Sequence, residues 1–92
     1  MLLGNLSEIT EEAFGNGFIK KVGNIVSISN MILGENLPYK IPDKYKPSKS
    51  FCFSSSCPEH TGRFELSKEG YINPPYNVVK KSVYGVYIIY LI

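Results

Sequence analysis

From Asn16 onward the hydrophobic positions recur with a period of two, the spacing of a pleated strand whose side chains point alternately to opposite faces. FIKKVGNIVSIS, residues 18–29, carries the pattern most cleanly. Gly23-Asn24 interrupts it as a two-residue loop with glycine first, as a type II′ hairpin turn requires. That register opposes Val22 to Ile25 and Ile19 to Ile28. Ile19, Val26 and Ile28 then share one face, with Lys21 at its turn end; Phe18, Lys20, Val22, Ile25 and Ser27 share the other. Such a hairpin has one core face and one partly wet face.

The later stretches read in the same way. NMILGENLPYKI (30–41) extends the strand, turns at Gly34-Glu35-Asn36 and predicts a short strand near Tyr39–Ile41. PDKYKPSKS (42–50) is a loop, because Pro42 and Pro47 remove backbone donors and fix φ. FCFSSSC (51–57) has strand composition but alternates poorly. GRFELSKEGYI (62–72) predicts a hairpin with strand Arg63–Leu66, a turn at Lys68-Glu69-Gly70 and a strand from Tyr71. Pro74-Pro75 breaks the pattern, and residues 77–92 close with one or two strands, Gly85 marking a kink or bulge. Short strands separated by turn signals predict an all-β fold, a small antiparallel β-sandwich or barrel, over residues 16–92. Residues 1–15 differ: they hold three glutamates and no lysine. Leu2, Leu6, Ile9 and Ala13 fall at helical intervals there, but Gly4, Asn5 and the short length weaken a helix, and the segment reads as a linker or neck.

The end of the chain, VYIIYLI (86–92), carries no charge. It reads as a membrane anchor, as one strand of an ordinary core, or as a strand covered on both sides by copies of the same chain. A bilayer-spanning helix takes about 20 apolar residues, so the anchor reading fails first. In a strand, Val86, Ile88, Tyr90 and Ile92 face one way and Tyr87, Ile89 and Leu91 the other, and both sets are apolar or aromatic. Full burial of one such side chain is worth about 1.5–3 kcal/mol, so leaving three of them wet forfeits much of the roughly 5–10 kcal/mol that holds a small domain together. One side fits the domain's own core; the other fits a neighbouring subunit.

Composition narrows the function classes. The 92 residues suit one domain, and a net charge of +2 argues against a dedicated nucleic-acid binder. Two cysteines, Cys52 and Cys57, make no disulfide framework; with one histidine they do not make a convincing zinc site. They read as free thiols in a reducing compartment, or as a local bridge outside a cell. MLLGNLSEITEE lacks the basic start and unbroken apolar run of a signal peptide.

The order KKVGNIVSISNMI, IPDKYKPSKSFCF, TGRFELSKEGYI and SVYGVYIIYLI resembles the small C-terminal β-domain of phage and prophage tail-fibre, baseplate and receptor-binding proteins of Gram-positive hosts. Gly23-Asn24 match that family's turn. Ile41-Pro42 and Tyr45-Lys46-Pro47-Ser48 match its loop, Gly62-Arg63 open its next strand, and Gly70 matches the turn that follows. The resemblance covers residues 16–92. Lys44 stands where the family often has glycine, and no tryptophan stands near the last strands. The resemblance implies a jelly-roll-like antiparallel sandwich. It also implies a homotrimeric, non-enzymatic head domain in the virion, assembled in the bacterial cytoplasm, with a host cell-wall saccharide and other phage tail proteins as partners. It implies no nucleic acid, membrane or cofactor. The alternatives are a structural trimerisation or docking module and a carbohydrate-binding module of a wall hydrolase.

Individual residues add to this reading. His60, in CPEHTGR, is predicted in a loop; as a catalytic base it would need a nucleophile and an orienting carboxylate. Ser54–Ser56 and Glu59 are near in sequence, yet no nucleophile motif surrounds them. Asp43, Glu59, Glu65 and Glu69 are carboxylates for glycoside hydrolysis only if two face each other across a cleft. Lys40, Lys44, Lys46 and Lys49, interleaved with Tyr39 and Tyr45, read as a solvated basic loop or as a contact for an anionic polymer. EGYINPPYN (69–77) gathers Tyr71, Asn73, Tyr76 and Asn77 around a proline-stiffened turn. It reads either as a cap on the sandwich or as a saccharide contact, in which tyrosine rings take sugar C–H faces and amides take hydroxyls. His60 and Arg63 are secondary candidates. No metal ligand set stands out.

Overall fold

Two Gly-Asn turns lay down the first sheet. The computed structural model describes residues 9–58 and 60–92. Gly15 and Gly23 carry φ of 61° and 60°, and no described non-glycine residue has a positive φ. A left-handed first position followed by an ordinary second one is the signature of a type II′ turn. The turns join strands β1 (Ile9–Phe14), β2 (Gly17–Val22) and β3 (Ile25–Leu33) into an antiparallel meander, with Val22 opposite Ile25 and Ile19 opposite Ile28.

The remaining strands are β4 (Tyr39–Lys40), β5 (Phe51–Cys57), β6 (His60–Leu66), β7 (Tyr71–Asn73) and β8 (Val83–Leu91). They complete two four-stranded sheets, β1-β2-β3-β8 and β4-β7-β6-β5. The antiparallel pairs β3–β8, β4–β7 and β5–β6 are nested, as in a long ribbon folded over on itself. The fold is therefore an all-β, jelly-roll-like antiparallel sandwich.

Three expectations change. Ile9–Phe14 is a strand, paired along its whole length with β2, so the sheet extends into the segment read as a neck. Gly15-Asn16 repeats the Gly-Asn turn and so fixes that strand; Leu2 and Leu6 lie outside the described residues. Gly85 makes no bulge: it sits directly opposite Met31 in an uninterrupted ladder. His60 opens β6 rather than lying in a loop.

The core lies between the sheets. From the first come Ile19, Val26, Ile28, Ile32, Tyr84 and Val86; from the second, Phe64, Leu66 and Ile72. Ile41 and Tyr45 of the proline-bounded loop are also fully buried. A single 3₁₀ turn, Asp43–Tyr45, drops the tyrosine into the core. There its hydroxyl donates to Glu12 Oε2 at 3.2 Å, and its carbonyl accepts the Tyr90 hydroxyl at 2.6 Å. The loop is thus pinned to both ends of the first sheet. Burial pushes the Tyr90 hydroxyl well above its ordinary pKa, which keeps it a donor.

The polar side chain of Asn30 is buried in this core. Asn30 accepts the backbone N–H groups of Asn16 (2.9 Å) and Met31 (2.8 Å) on Oδ1, holding the first turn against β3.

Replacing Tyr45 by alanine removes a buried ring and both anchoring contacts of its side chain with the core and Glu12. Tyr45→Ala is expected to cost about 3–5 kcal/mol in urea denaturation, whereas Lys49→Ala, on an exposed residue of the same loop, is expected to stay within about 0.5 kcal/mol.

Candidate functional site

The two outer faces of the sandwich differ in chemistry. On the second sheet, the register places Lys40 beside Tyr71, Asn73 beside Glu65 and Cys52, Arg63 beside Ser54, and Thr61 beside Ser56. This face is polar, with one large ring. Tyr71 is partly exposed, and the Lys40 ammonium lies 5.9 Å from its ring centre. Asn73 Nδ2 donates to Glu65 Oε1 at 3.1 Å, which fixes both side chains. The Tyr71 N–H is bonded to Ser67 Oγ at 3.1 Å, tightening the turn below it. Beyond β7 the chain turns through Pro74-Pro75, and there Tyr76 is 100% exposed and Asn77 is exposed beside it.

Of the six candidate residues, Arg63, Tyr71 and Asn73 therefore share one face, with Tyr76 and Asn77 in the turn that leaves it. His60 does not join them. It faces inward at the start of β6, half-buried, with Nδ1 2.9 Å from the Tyr84 hydroxyl. The same hydroxyl accepts the Val79 N–H at 2.9 Å. A Cβ on Gly62 would lie 2.6 Å from His60 Cε1 and 2.9 Å from Pro75 Cγ, so glycine makes room for the imidazole and the proline. His60 is a tie between β6 and the approach to β8.

Lys40, Lys44 and Lys46 are partnered rather than free. Lys40 Nζ bonds Asp43 Oδ1 at 2.6 Å and the Ile41 carbonyl at 2.8 Å; Lys44 pairs with Glu12; Lys46 lies 3.9 Å from Asp43. Of the carboxylates weighed for hydrolysis, Asp43 is engaged with these lysines and Glu65 with Asn73; Glu59 lies outside the described residues. Cys52 and Cys57 are free thiols, on opposite faces of β5. Among the described residues no three His, Cys, Asp or Glu side chains are grouped to hold a metal, and no helix is long and apolar enough to cross a membrane.

Sequence reasoning missed Lys40 and Glu65 as neighbours of Tyr71 and Asn73. The alternation Thr61-x-Arg63-x-Glu65 carries that signal once β6 is extended to His60. It also missed a groove of about 630 Å³, where Ser54, Ser56 and Pro58 meet Met31, Val83 and Tyr87. The groove arises because the free edges of β5 and β8 approach, the Ser55 hydroxyl donating to the Gly85 carbonyl. No local pattern announces such a meeting. No family model matches the chain, and no curated protein matches it.

The charge pairs set an acid response. The Lys44 hydrogen bond, reinforced by the Tyr45 hydroxyl, holds Glu12 below its ordinary value of 4.5, and Lys40 does the same for Asp43 below 3.8. Depressed carboxylate pKa values add stability above the unfolded values, and that stability is lost as pH falls through the lower folded values. The melting temperature is expected to decline below about pH 4.5, with a shallower decline in Glu12→Gln; thermal scans between pH 6 and about pH 2 would measure it.

Proposed function

We propose that this chain is the head domain of a phage tail-fibre or receptor-binding protein: a non-enzymatic domain that acts as a homotrimer in the virion and recognises a saccharide of the host cell surface. The observation that carries this reading is the division of labour between the two outer faces. One is polar and bears tyrosines and amides on a rigid scaffold; the other, on the first sheet, is apolar.

Recognition on the polar face follows from its chemistry. Tyr71 and Tyr76 offer flat apolar surfaces with polar tips, suited to the C–H faces of a sugar ring. Asn77 and Arg63 supply donors for ring hydroxyls. Glu65 holds Asn73 in place, so less side-chain freedom is lost on binding. Weak single sites become strong in a trimer, because the second and third contacts form at high effective concentration. The residues that would do this sit on β6, on β7 and in the turn after β7, where a rigid scaffold carries the contacts.

A glycan array of Gram-positive wall polysaccharides would test this. Binding to one polysaccharide class is expected, with Tyr71→Ala and Tyr76→Ala each weakening a monovalent fragment about tenfold, equivalent to about 1.4 kcal/mol. Silence across the array would leave the structural trimerisation or docking module as the better reading.

A further inference from the structure

We infer that a notch beside the end of β3 binds a short, extended, uncharged peptide segment through the segment's main chain. The site lies apart from the saccharide face and does not rest on that reading.

The notch follows from unequal strand lengths. β2 pairs with β3 only as far as Phe18 opposite Ser29, while β3 runs on to Leu33 with β8 alone beside it. Residues 30–33 therefore have an open edge on the side that β2 has left. The ladder fixes which backbone groups face that edge. Gly85, opposite Met31, turns its carbonyl to the outer edge of β8, where the Ser55 hydroxyl donates to it. Met31 and Gly85 are thus a non-hydrogen-bonded pair, and the N–H and C=O of Met31 point to the open side. The Met31 N–H meets Asn30 Oδ1 there, at 2.8 Å. Leu33, two residues on, points the same way.

The side chain of Asn30 marks the site. It is 1% exposed, and its Oδ1 accepts two backbone N–H groups, which fixes the orientation of the amide. Its Nδ2 has no partner among the described residues, and a buried donor left unpaired costs free energy that an incoming acceptor recovers. A Cβ at position 15 would lie 2.8 Å from that nitrogen, so Gly15 leaves the space beside it open. Asn30 borders a recess of about 460 Å³, flanked by Asn16 on one side and by Asn36 and Tyr39 on the other. Asn36 ends the 3₁₀ turn Gly34–Asn36 that follows β3.

The chemistry of the recess is that of a missing strand. Asn30 Nδ2 and the Leu33 N–H are donors, and the Met31 carbonyl between them is an acceptor. A segment that offers carbonyl and N–H groups in turn satisfies all three, as when a peptide adds to a sheet edge. The overhang takes about three residues in antiparallel register. Tyr39, held edge-on to Phe14 with 4.8 Å between ring centres, gives one side chain of the segment a rigid apolar wall. No charged residue lines the recess. A charged side chain placed there would lose its water without gaining a partner, which selects an uncharged segment.

Titration of the whole chain with a blocked tetrapeptide of alternating valine and threonine, followed by nitrogen-15 NMR, is the test. The Asn30 side-chain amide and the Leu33 backbone amide are expected to shift together, with a dissociation constant on the order of 1 mM, and the Leu33 N–H to exchange severalfold more slowly. The same peptide with its central amide replaced by an ester should bind about tenfold more weakly. Asn30→Asp keeps the acceptor for Asn16 and Met31 but removes the donor; it should lose about tenfold in peptide affinity and leave any glycan binding unchanged. The amide-to-ester contrast uses the unmodified protein, so a misfolded Asn30→Asp does not spoil the test. Absence of shifts at Asn30 and Leu33 at millimolar peptide, or equal binding of the ester, overturns the inference. So does a shift of the Asn30 amide with N-acetylglucosamine but not with the peptide, which would make the recess a sugar site. An Asn30 amide that contacts only an ordered water in the presence of the peptide overturns it as well.

Discussion

The ladder between β3 and β8 is the constraint on which the rest depends. It runs unbroken from Ile25 opposite Leu91 to Leu33 opposite Val83, and β8 is apolar on both flanks along most of that length. Its inner flank, Tyr84, Val86, Ile88 and Tyr90, completes the core. Buried tyrosine hydroxyls must find partners, and these two reach for backbone and side chains elsewhere in the fold. Tyr90 takes the Tyr45 carbonyl and so fixes the loop between β4 and β5. Tyr84 takes the Val79 N–H and pairs with His60, which fixes the start of β6. At the strand's free edge, Gly85 receives Ser55 of β5. Three separate parts of the chain are thus located by one strand.

The same strand explains why the sandwich has two unlike outsides. A ladder this long and regular holds its outer side chains in rows, so Leu91, Ile89 and Tyr87 cannot turn inward without a one-residue slip that would expose the inner set. The outer flank stays turned outward as a consequence of the inner one being well packed. The second sheet is built otherwise: β4 and β7 are only two and three residues long. Short strands leave turns close together, and Tyr76 and Asn77 follow Asn73 of β7 by only three and four residues. The surface proposed for selective contact is there.

Much of this was legible in the chain, and the limits have physical causes. The β2–β3 register followed from Gly23-Asn24 and the alternation around it, because hairpin pairing is local and its turn chemistry specific. The β6–β7 turn was readable from Gly70 for the same reason. β1 was misread because Leu2, Leu6, Ile9 and Ala13 mimic a helical spacing, while the repeat of Gly-Asn at residues 15–16, which decides the matter, is only two residues long. His60 was placed in a loop, yet Cys57 pairs directly with His60 and the β5–β6 ladder begins there. The polar surface was readable in part. Tyr71, Asn73, Tyr76 and Asn77 are neighbours in sequence, whereas Lys40 reaches Tyr71 only through the β4–β7 pairing, a contact between segments some thirty residues apart.

The most distinctive stretch of the sequence puts its large ring into the core and leaves its charges at the surface. In Pro42-Asp43-Lys44-Tyr45-Lys46-Pro47-Ser48, the tyrosine is fully buried, Pro47 is buried, and the charged residues satisfy one another or Glu12. Of the residues that carry the likeness to phage head domains, Ile41, Tyr45 and Pro47 of this loop are therefore residues of packing. Packing motifs report on a fold, and one fold serves many functions. The proposed ligand contact draws on another set, the exposed rings and amides of residues 71–77, which contribute little to the core apart from Ile72. Chains sharing the buried loop would keep the sandwich while differing freely at those positions, so the proposed recognition has to be judged from the polar face and its exposed turn, independently of the motif that first suggests it.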